Sequence, residues 1–151
     1  MSEAAFTDAQ RRALAALLDT LIPPGDDGGP PGAGEIGLAD LVEAQVPDLH
    51  AMLRDGLAVL DAQAVERGAS DFAALAAPER REALEELSAA QPAFLPGLVF
   101  HTYIHYYQDP RVVSALDLEA RPPHPQGYPL EPGDLSSLER VRARQGLYRE
   151  G

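Results

Sequence analysis

Two histidines, His101 and His105, have the spacing in this sequence that comes nearest to a metal site. If they lie on one helix they are one turn apart, and two imidazoles at that spacing can bind one metal ion. A helical zinc hydrolase motif also needs Glu at position 102, where this chain has Thr102. A diiron bundle needs inward Glu-x-x-His pairs, which the sequence lacks. We therefore predict a packed, hydrogen-bonded histidine pair and no metal site, with His101 and His105 as the candidates if there is one.

Three tyrosines, Tyr103, Tyr106 and Tyr107, lie beside these histidines. One interpretation places them in the core of a helical bundle. The other makes them a contact surface for a partner protein, because tyrosine offers a large area and a polar group. Side chains this close together cannot all point inward from one helix, so we predict that at least one contacts a partner. The residues predicted for a partner interface are Tyr103, Tyr106, Tyr107, Tyr128, Arg140 and Arg144.

Composition excludes several classes of function. The 151 residues include 12 basic and 24 acidic side chains, and a net charge of -12 argues against nucleic acid or an anionic membrane as a partner. The absence of cysteine removes disulfides, thiolate catalysis and cysteine-ligated metal centres. No serine nucleophile elbow, phosphate loop or dinucleotide fingerprint is present. We predict no catalytic residue and no cofactor-binding residue on this chain.

The histidines and tyrosines require a helix, which the sequence predicts from about Pro96 to Gln108. This helix is apolar or aromatic nearly all round, so we expect it inside the protein. Asp109 and Pro110 then supply the N-cap and first position of a short second helix. One side of the longer helix carries Phe100, Tyr103, Ile104 and Tyr107, and another carries Leu98, His101, Thr102 and His105.

Amphipathic patterns predict the helices that surround this stretch. Thr7 and Gln10 form a capping box ahead of a leucine stripe that ends at Pro23. Pro47 separates a short helix from a longer one that Asp48 can cap, and a stop is expected at Gly68. A further helix begins near Pro78. The fold class is all-α, a single-domain bundle of about five or six helices with two long Gly/Pro-rich loops.

The first of these loops covers residues 25–34, and the second begins after Leu118. Dense proline and the lack of any period predict an extended strap over about residues 119–133. A last helix is predicted over about residues 134–148, and its arginines form the one basic cluster in an acidic sequence. One domain therefore spans residues 1–151.

Several segments together resemble a known family. They are Phe6-Thr-Asp-Ala-Gln-Arg11, Leu18-Asp-Thr-Leu-Ile-Pro-Pro24, Tyr106-Tyr-Gln-Asp-Pro-Arg-Val-Val-Ser-Ala-Leu116 and Pro125-Gln-Gly-Tyr128. Their order and spacing are similar to those of the small accessory subunit called gluconate 2-dehydrogenase subunit 3. Residues 48–95 contribute only a helical pattern to the resemblance.

The resemblance implies a small helical subunit that accompanies a large flavoprotein of the glucose-methanol-choline oxidoreductase type. In that arrangement the partner carries FAD and oxidises sugars or sugar acids, often with a cytochrome c as electron acceptor. No catalytic residue is carried over to this chain. We expect a non-catalytic subunit that binds and stabilises the flavoprotein.

Two rival functions remain open from the sequence. The first is a metal-dependent helical enzyme that uses His101 and His105, and the second is a free-standing ligand-binding bundle. The sequence also lacks the twin-arginine signal that many members of the family carry, and it has no apolar run of membrane-spanning length. We therefore expect a cytoplasmic location, or a periplasmic one if a signal has been removed.

Overall fold

The fold is built from α-helices joined by two short 3₁₀ turns. A computed structural model describes residues 5–118, 133–134, 136–139 and 143. Residues 1–120 and 121–151 form two separate units. The helices of the first unit are α1 (Asp8–Leu21), α2 (Leu38–Gln45), α3 (His50–Glu66), α4 (Ala77–Ala90), α5 (Phe94–Tyr106) and α6 (Pro110–Ala115), with 3₁₀ turns at Pro47–Leu49 and Phe72–Ala74. The described residues contain no strand, and the all-α prediction is confirmed.

Helix α1 begins and ends at the residues that its local sequence predicts. Thr7 Oγ1 accepts a hydrogen bond from Gln10 N at 3.2 Å, and Gln10 Oε1 accepts one from Thr7 N at 2.9 Å, which completes the capping box. The helix ends at Leu21, just before Pro23 and Pro24. Its inner face is formed by Ala13, Leu14, Ala16, Leu17 and Leu18.

The junction between α2 and α3 differs from the prediction in one respect. Asp48 does not cap α3, because residues 47–49 form a 3₁₀ turn that leads directly into the helix. Leu49 occupies the cap position without a side-chain hydrogen bond. At the other end, Gly68 takes a positive φ of 86°, and Ala69 N donates to Ala64 O at 2.9 Å. This Schellman motif confirms the predicted stop at Gly68.

Helices α4 and α5 both begin near prolines. Glu79 Oε2 accepts a hydrogen bond from Ala76 N at 3.0 Å and stabilises the first turn of α4. Helix α5 begins at Phe94, so Pro96 lies within its first turn, where the missing N–H costs nothing. The helix therefore begins two residues before the predicted start at Pro96.

The core lies where α1, α3, α4 and α5 meet. Gly56 of α3 brings its backbone so near to α5 that a Cβ atom at this position would overlap the ring of Phe94. The largest side chains that are fully buried are Phe6, Phe72, Phe94, Leu14, Leu17, Leu18, Leu38, Leu53, Leu57, Leu60, Leu87 and Leu98.

Polar contacts hold the N-terminal segment and the first Gly/Pro-rich loop against the helices. Glu43 of α2 accepts hydrogen bonds from the backbone of Ala5 and Phe6 and pairs with the Arg11 guanidinium, with Nε to Oε2 at 2.7 Å. These donors, the guanidinium first, hold the pKa of Glu43 at about 2. Gly34 N donates to Asp19 Oδ1 at 2.7 Å and fixes the end of the loop to α1.

None of the described helices combines the length and the apolar character that crossing a membrane requires.

Candidate functional site

Helix α5 exposes a continuous apolar surface. Phe100 is 61% exposed, Tyr107 52%, Tyr103 47% and Ile104 38%. Their spacing of three, one and three residues places them on one side of the helix, and we call these four side chains the aromatic face. The expectation that the whole helix is buried is therefore wrong for this side.

The side of α5 opposite the aromatic face is the one that packs in the core. Phe94, Leu98, Thr102 and Tyr106 recur every four residues and are buried. Helix α5 lies at the edge of the described bundle, with its contacts to α2, α3 and α4 on this side. A helix in that position has one stripe to bury, whatever the composition of its other side.

The three neighbouring tyrosines have separate environments. Tyr106 is buried, and its hydroxyl donates to Pro31 O at 2.8 Å across 75 positions of sequence. Burial raises the pKa of Tyr106, so the phenol stays protonated. Tyr103 and Tyr107 point outward with nearly parallel rings, whose centroids are 5.9 Å apart. The geometry agrees with the argument that the three cannot all point inward, and partner contact itself stays a prediction.

The two candidate metal ligands lie at the border of the aromatic face. The rings of His101 and His105 are nearly parallel, with centroids 6.3 Å apart and an interplanar angle of 16°. Phe100 packs edge-on against His101 with a centroid distance of 5.4 Å. Burial, and then the nearby His101, lower the pKa of His105. Among the described residues no group of three or more His, Asp or Glu side chains surrounds a common point.

A second polar region, which the sequence did not indicate, lies between the end of α1 and the start of α4. It is a depression of about 310 Å³, lined in part by Asp19 and Arg80. Burial is the main cause that raises the pKa of Asp19, and Glu35 adds to it. Arg80 Nε is buried without a hydrogen-bond partner in the described part of the chain. The lining offers mixed charge and the hydroxyl of Thr20, which donates to Ala16 O at 2.7 Å.

Three of the predicted interface residues lie outside the described residues, namely Tyr128, Arg140 and Arg144. The same is true of nearly all of the predicted strap at 119–133 and of most of the predicted helix at 134–148. Within the latter the structure describes a 3₁₀ turn, Ser136–Leu138, preceded by Asp134, which accepts from Ser136 N at 2.9 Å.

Phe100 and Ile104 belong to the aromatic face but not to the predicted partner interface, although the helical spacing already placed them on one side with Tyr103 and Tyr107. The available signal was the lack of charge. Helix α5 contains no Asp, Glu, Lys or Arg, whereas α4, of similar length, contains six. An uncharged helix with an exposed apolar side is unusual in an acidic protein, and exposed apolar patches are often interaction sites.

The family model described as gluconate 2-dehydrogenase subunit 3 matches residues 8–121. This range includes all six helices and the whole of the aromatic face. No curated protein and no solved structure matches the chain.

Proposed function

The chain belongs to the gluconate 2-dehydrogenase subunit 3 family, and we propose that it is a non-catalytic subunit that binds and stabilises an FAD-dependent oxidoreductase. The partner oxidises a CH–OH group of a sugar or sugar acid and carries the FAD. This chain contributes a docking surface and holds no organic cofactor of its own. A cytochrome c or another electron acceptor completes the assembly.

The observation that carries this proposal is the exposed aromatic face of α5. Complete burial of one large apolar side chain is worth about 1.5–3 kcal/mol, and this face presents three aromatic rings and Ile104 together. Monomeric proteins rarely leave contiguous apolar surface of this kind exposed, and interfaces are rich in tyrosine and phenylalanine. Tyr103 and Tyr107 also supply hydroxyls that can bond to polar groups of a partner.

Charge favours a different protein over a second copy of this chain. Each copy carries a net charge of -12, so two copies would repel as they approach. The aromatic face itself carries no charge, so its burial removes no ionised group from water. A partner that is less acidic, with an apolar patch of its own, fits this face better than a second copy does.

Co-expression tests the proposal. The untagged chain is produced with a tagged large FAD-binding oxidoreductase from the same genome, and the pair is examined by affinity capture and size exclusion. We expect a complex with the wild type and its loss with Phe100→Asp, because an interfacial carboxylate would be desolvated without a partner.

Val65→Asp is the matched control, since Val65 is 60% exposed on α3 and lies outside the aromatic face. We expect Val65→Asp to retain the complex. Circular dichroism confirms that both variants fold. A wild-type chain that stays monomeric beside the flavoprotein, or equal losses from both substitutions, would contradict the proposal.

A further inference from the structure

The two histidines of α5 form a ligand pair whose geometry the proposed docking function does not use. His101 and His105 belong to successive turns of one helix, and their nearly parallel rings have centroids 6.3 Å apart. Both side chains are partly buried and partly open to solvent. Within the described residues neither ring is hydrogen-bonded to another protein group, so the predicted hydrogen-bonded pair is not observed.

We propose that His101 and His105 chelate one divalent transition-metal ion, such as Cu²⁺, Ni²⁺ or Zn²⁺. Imidazole nitrogen is a preferred ligand of these ions, with metal–nitrogen distances of about 2.0–2.1 Å for zinc. Binding requires rotations about the side-chain bonds that bring one nitrogen of each ring to that distance from a common point, because the ring centroids are 6.3 Å apart. Water occupies the remaining coordination positions, so the site is open and exchangeable.

The surroundings favour a bound cation in two ways. Phe100 packs edge-on against His101 and limits the orientations of that ring before binding. The net charge of -12 concentrates cations near the protein.

His50 provides an internal contrast. It lies at the start of α3 with its ring edge-on to Phe6, at a centroid distance of 5.1 Å, and its Nε2 is buried. A single buried imidazole cannot chelate, whereas a pair one helical turn apart can. The inference therefore depends on the pair and not on histidine content.

The experiment titrates the untagged, purified chain with CuCl₂, NiCl₂ or ZnCl₂ at pH 7.4 by calorimetry, without any flavoprotein. We expect one ion per chain, with affinity in the order Cu²⁺ above Ni²⁺. Mg²⁺ and Ca²⁺ should not bind, since these ions prefer oxygen ligands. The electron paramagnetic resonance spectrum of the Cu²⁺ form should show coupling to two nitrogens.

Substitutions separate the pair from the other histidines. His101→Gln and His105→Gln should each weaken metal binding by at least about tenfold. Loss of a residue that only hydrogen-bonds to a metal ligand already weakens binding by about this factor, and these substitutions remove a ligand itself. His50→Gln and His124→Gln should leave the affinity within about twofold of wild type. Circular dichroism checks the fold of each variant.

Binding that persists in the double variant, or no binding by the wild type, would overturn the metal site. Since the titration contains no partner, either result leaves the docking proposal intact. Conversely, a chain that binds Cu²⁺ through the pair but captures no flavoprotein would fail only the docking proposal.

Discussion

Helices α4 and α5 have similar lengths and similar buried stripes, but their outer faces differ in kind. The outer side of α4 is charged, and Glu86 is held by Arg67 of α3 with Nη2 to Oε1 at 2.8 Å. The outer side of α5 is aromatic, and the rings of Tyr103 and the C-cap residue Tyr107 lie nearly parallel there, with centroids 5.9 Å apart. Two neighbouring helices thus expose different surfaces to solvent, one charged and the other aromatic and uncharged. The folding of this unit therefore accounts for the charged outer face of α4 and does not account for the aromatic outer face of α5.

The comparison is sharpest between two phenylalanines of α5 that lie on opposite sides. Phe94→Ala should lower the free energy of unfolding by about 3–5 kcal/mol, the usual cost of emptying a buried aromatic site. Phe100→Ala should change it by less than about 0.5 kcal/mol, as expected for an exposed position. Urea denaturation followed by circular dichroism measures both values.

Equal losses from these two variants would break the comparison, since Phe100 would then be supporting the fold. In a binding measurement on folded protein, Phe100→Ala should have the larger effect of the two substitutions. There Phe100→Ala should weaken capture of the flavoprotein, and a folded Phe100→Ala chain that binds normally would remove the aromatic face from the interface.

The next largest loss of stability is expected where α3 and α5 are in contact, at Gly56. Gly56→Ala should destabilise the protein by about 1–3 kcal/mol, because the new methyl group overlaps the Phe94 ring and forces the helices apart. Gly97→Ala is the matched control, since its Cβ would meet only the end of the Leu49 side chain, with the nearest atom at 3.3 Å. We expect Gly97→Ala to be neutral or stabilising by up to about 1 kcal/mol, the helix propensity gain. A Gly56→Ala protein with wild-type stability would show that α5 can shift.

The sequence predicted features that depend on neighbouring residues. The capping box at Thr7, the N-cap at Asp109 and the stop at Gly68 are all present, because each depends on hydrogen bonds within a few positions. The cap assigned to Asp48 failed because the preceding turn continues into α3. Local signals therefore located the helices well.

The orientation of α5 could not be predicted in the same way. A helix that is apolar all round has no polar side to mark the solvent, so its periodicity does not say which stripe is buried. The answer depends on contacts with distant residues, such as Gly56 against Phe94 and Tyr106 to Pro31. The candidate site was therefore found by residue type, and its outward face only by the structure.

Outside α5, polar side chains near the surface are paired with other groups of the same chain, and Glu43 is the clearest example. Its folded pKa of about 2 lies below the ordinary value of 4.5. The stability that it contributes is therefore complete above pH 4.5 and is lost as the pH falls towards 2. Glu43→Gln should lower the free energy of unfolding at pH 7, because the new amide donor faces the Arg11 guanidinium. We expect this loss to be smaller than that from Gly56→Ala. Glu43→Gln should also flatten the acid side of the pH–stability curve.

Thermal melting between pH 2 and pH 7 measures this effect. Asp8→Asn is the control, because Asp8 also pairs with Arg11, at 3.1 Å, but is almost fully exposed. Surface pairs of that kind contribute little, so its curve should follow the wild type. An unchanged acid limb in Glu43→Gln would mean that this contact does not hold the N-terminal segment.

The smallest expected effect is the change in stability when the hydroxyl group of one of two adjacent tyrosines is removed. Tyr106→Phe should lower the free energy of unfolding by about 0.5–1.5 kcal/mol, since it removes the hydroxyl that donates to Pro31 O. Tyr107→Phe should leave stability unchanged, because Tyr107 is half exposed and its hydroxyl is free to bond to water. Chemical denaturation of both variants in parallel measures the difference. If Tyr107→Phe cost as much as Tyr106→Phe, the outer side of α5 would be part of the folding unit, and its aromatic residues would need no partner to explain them.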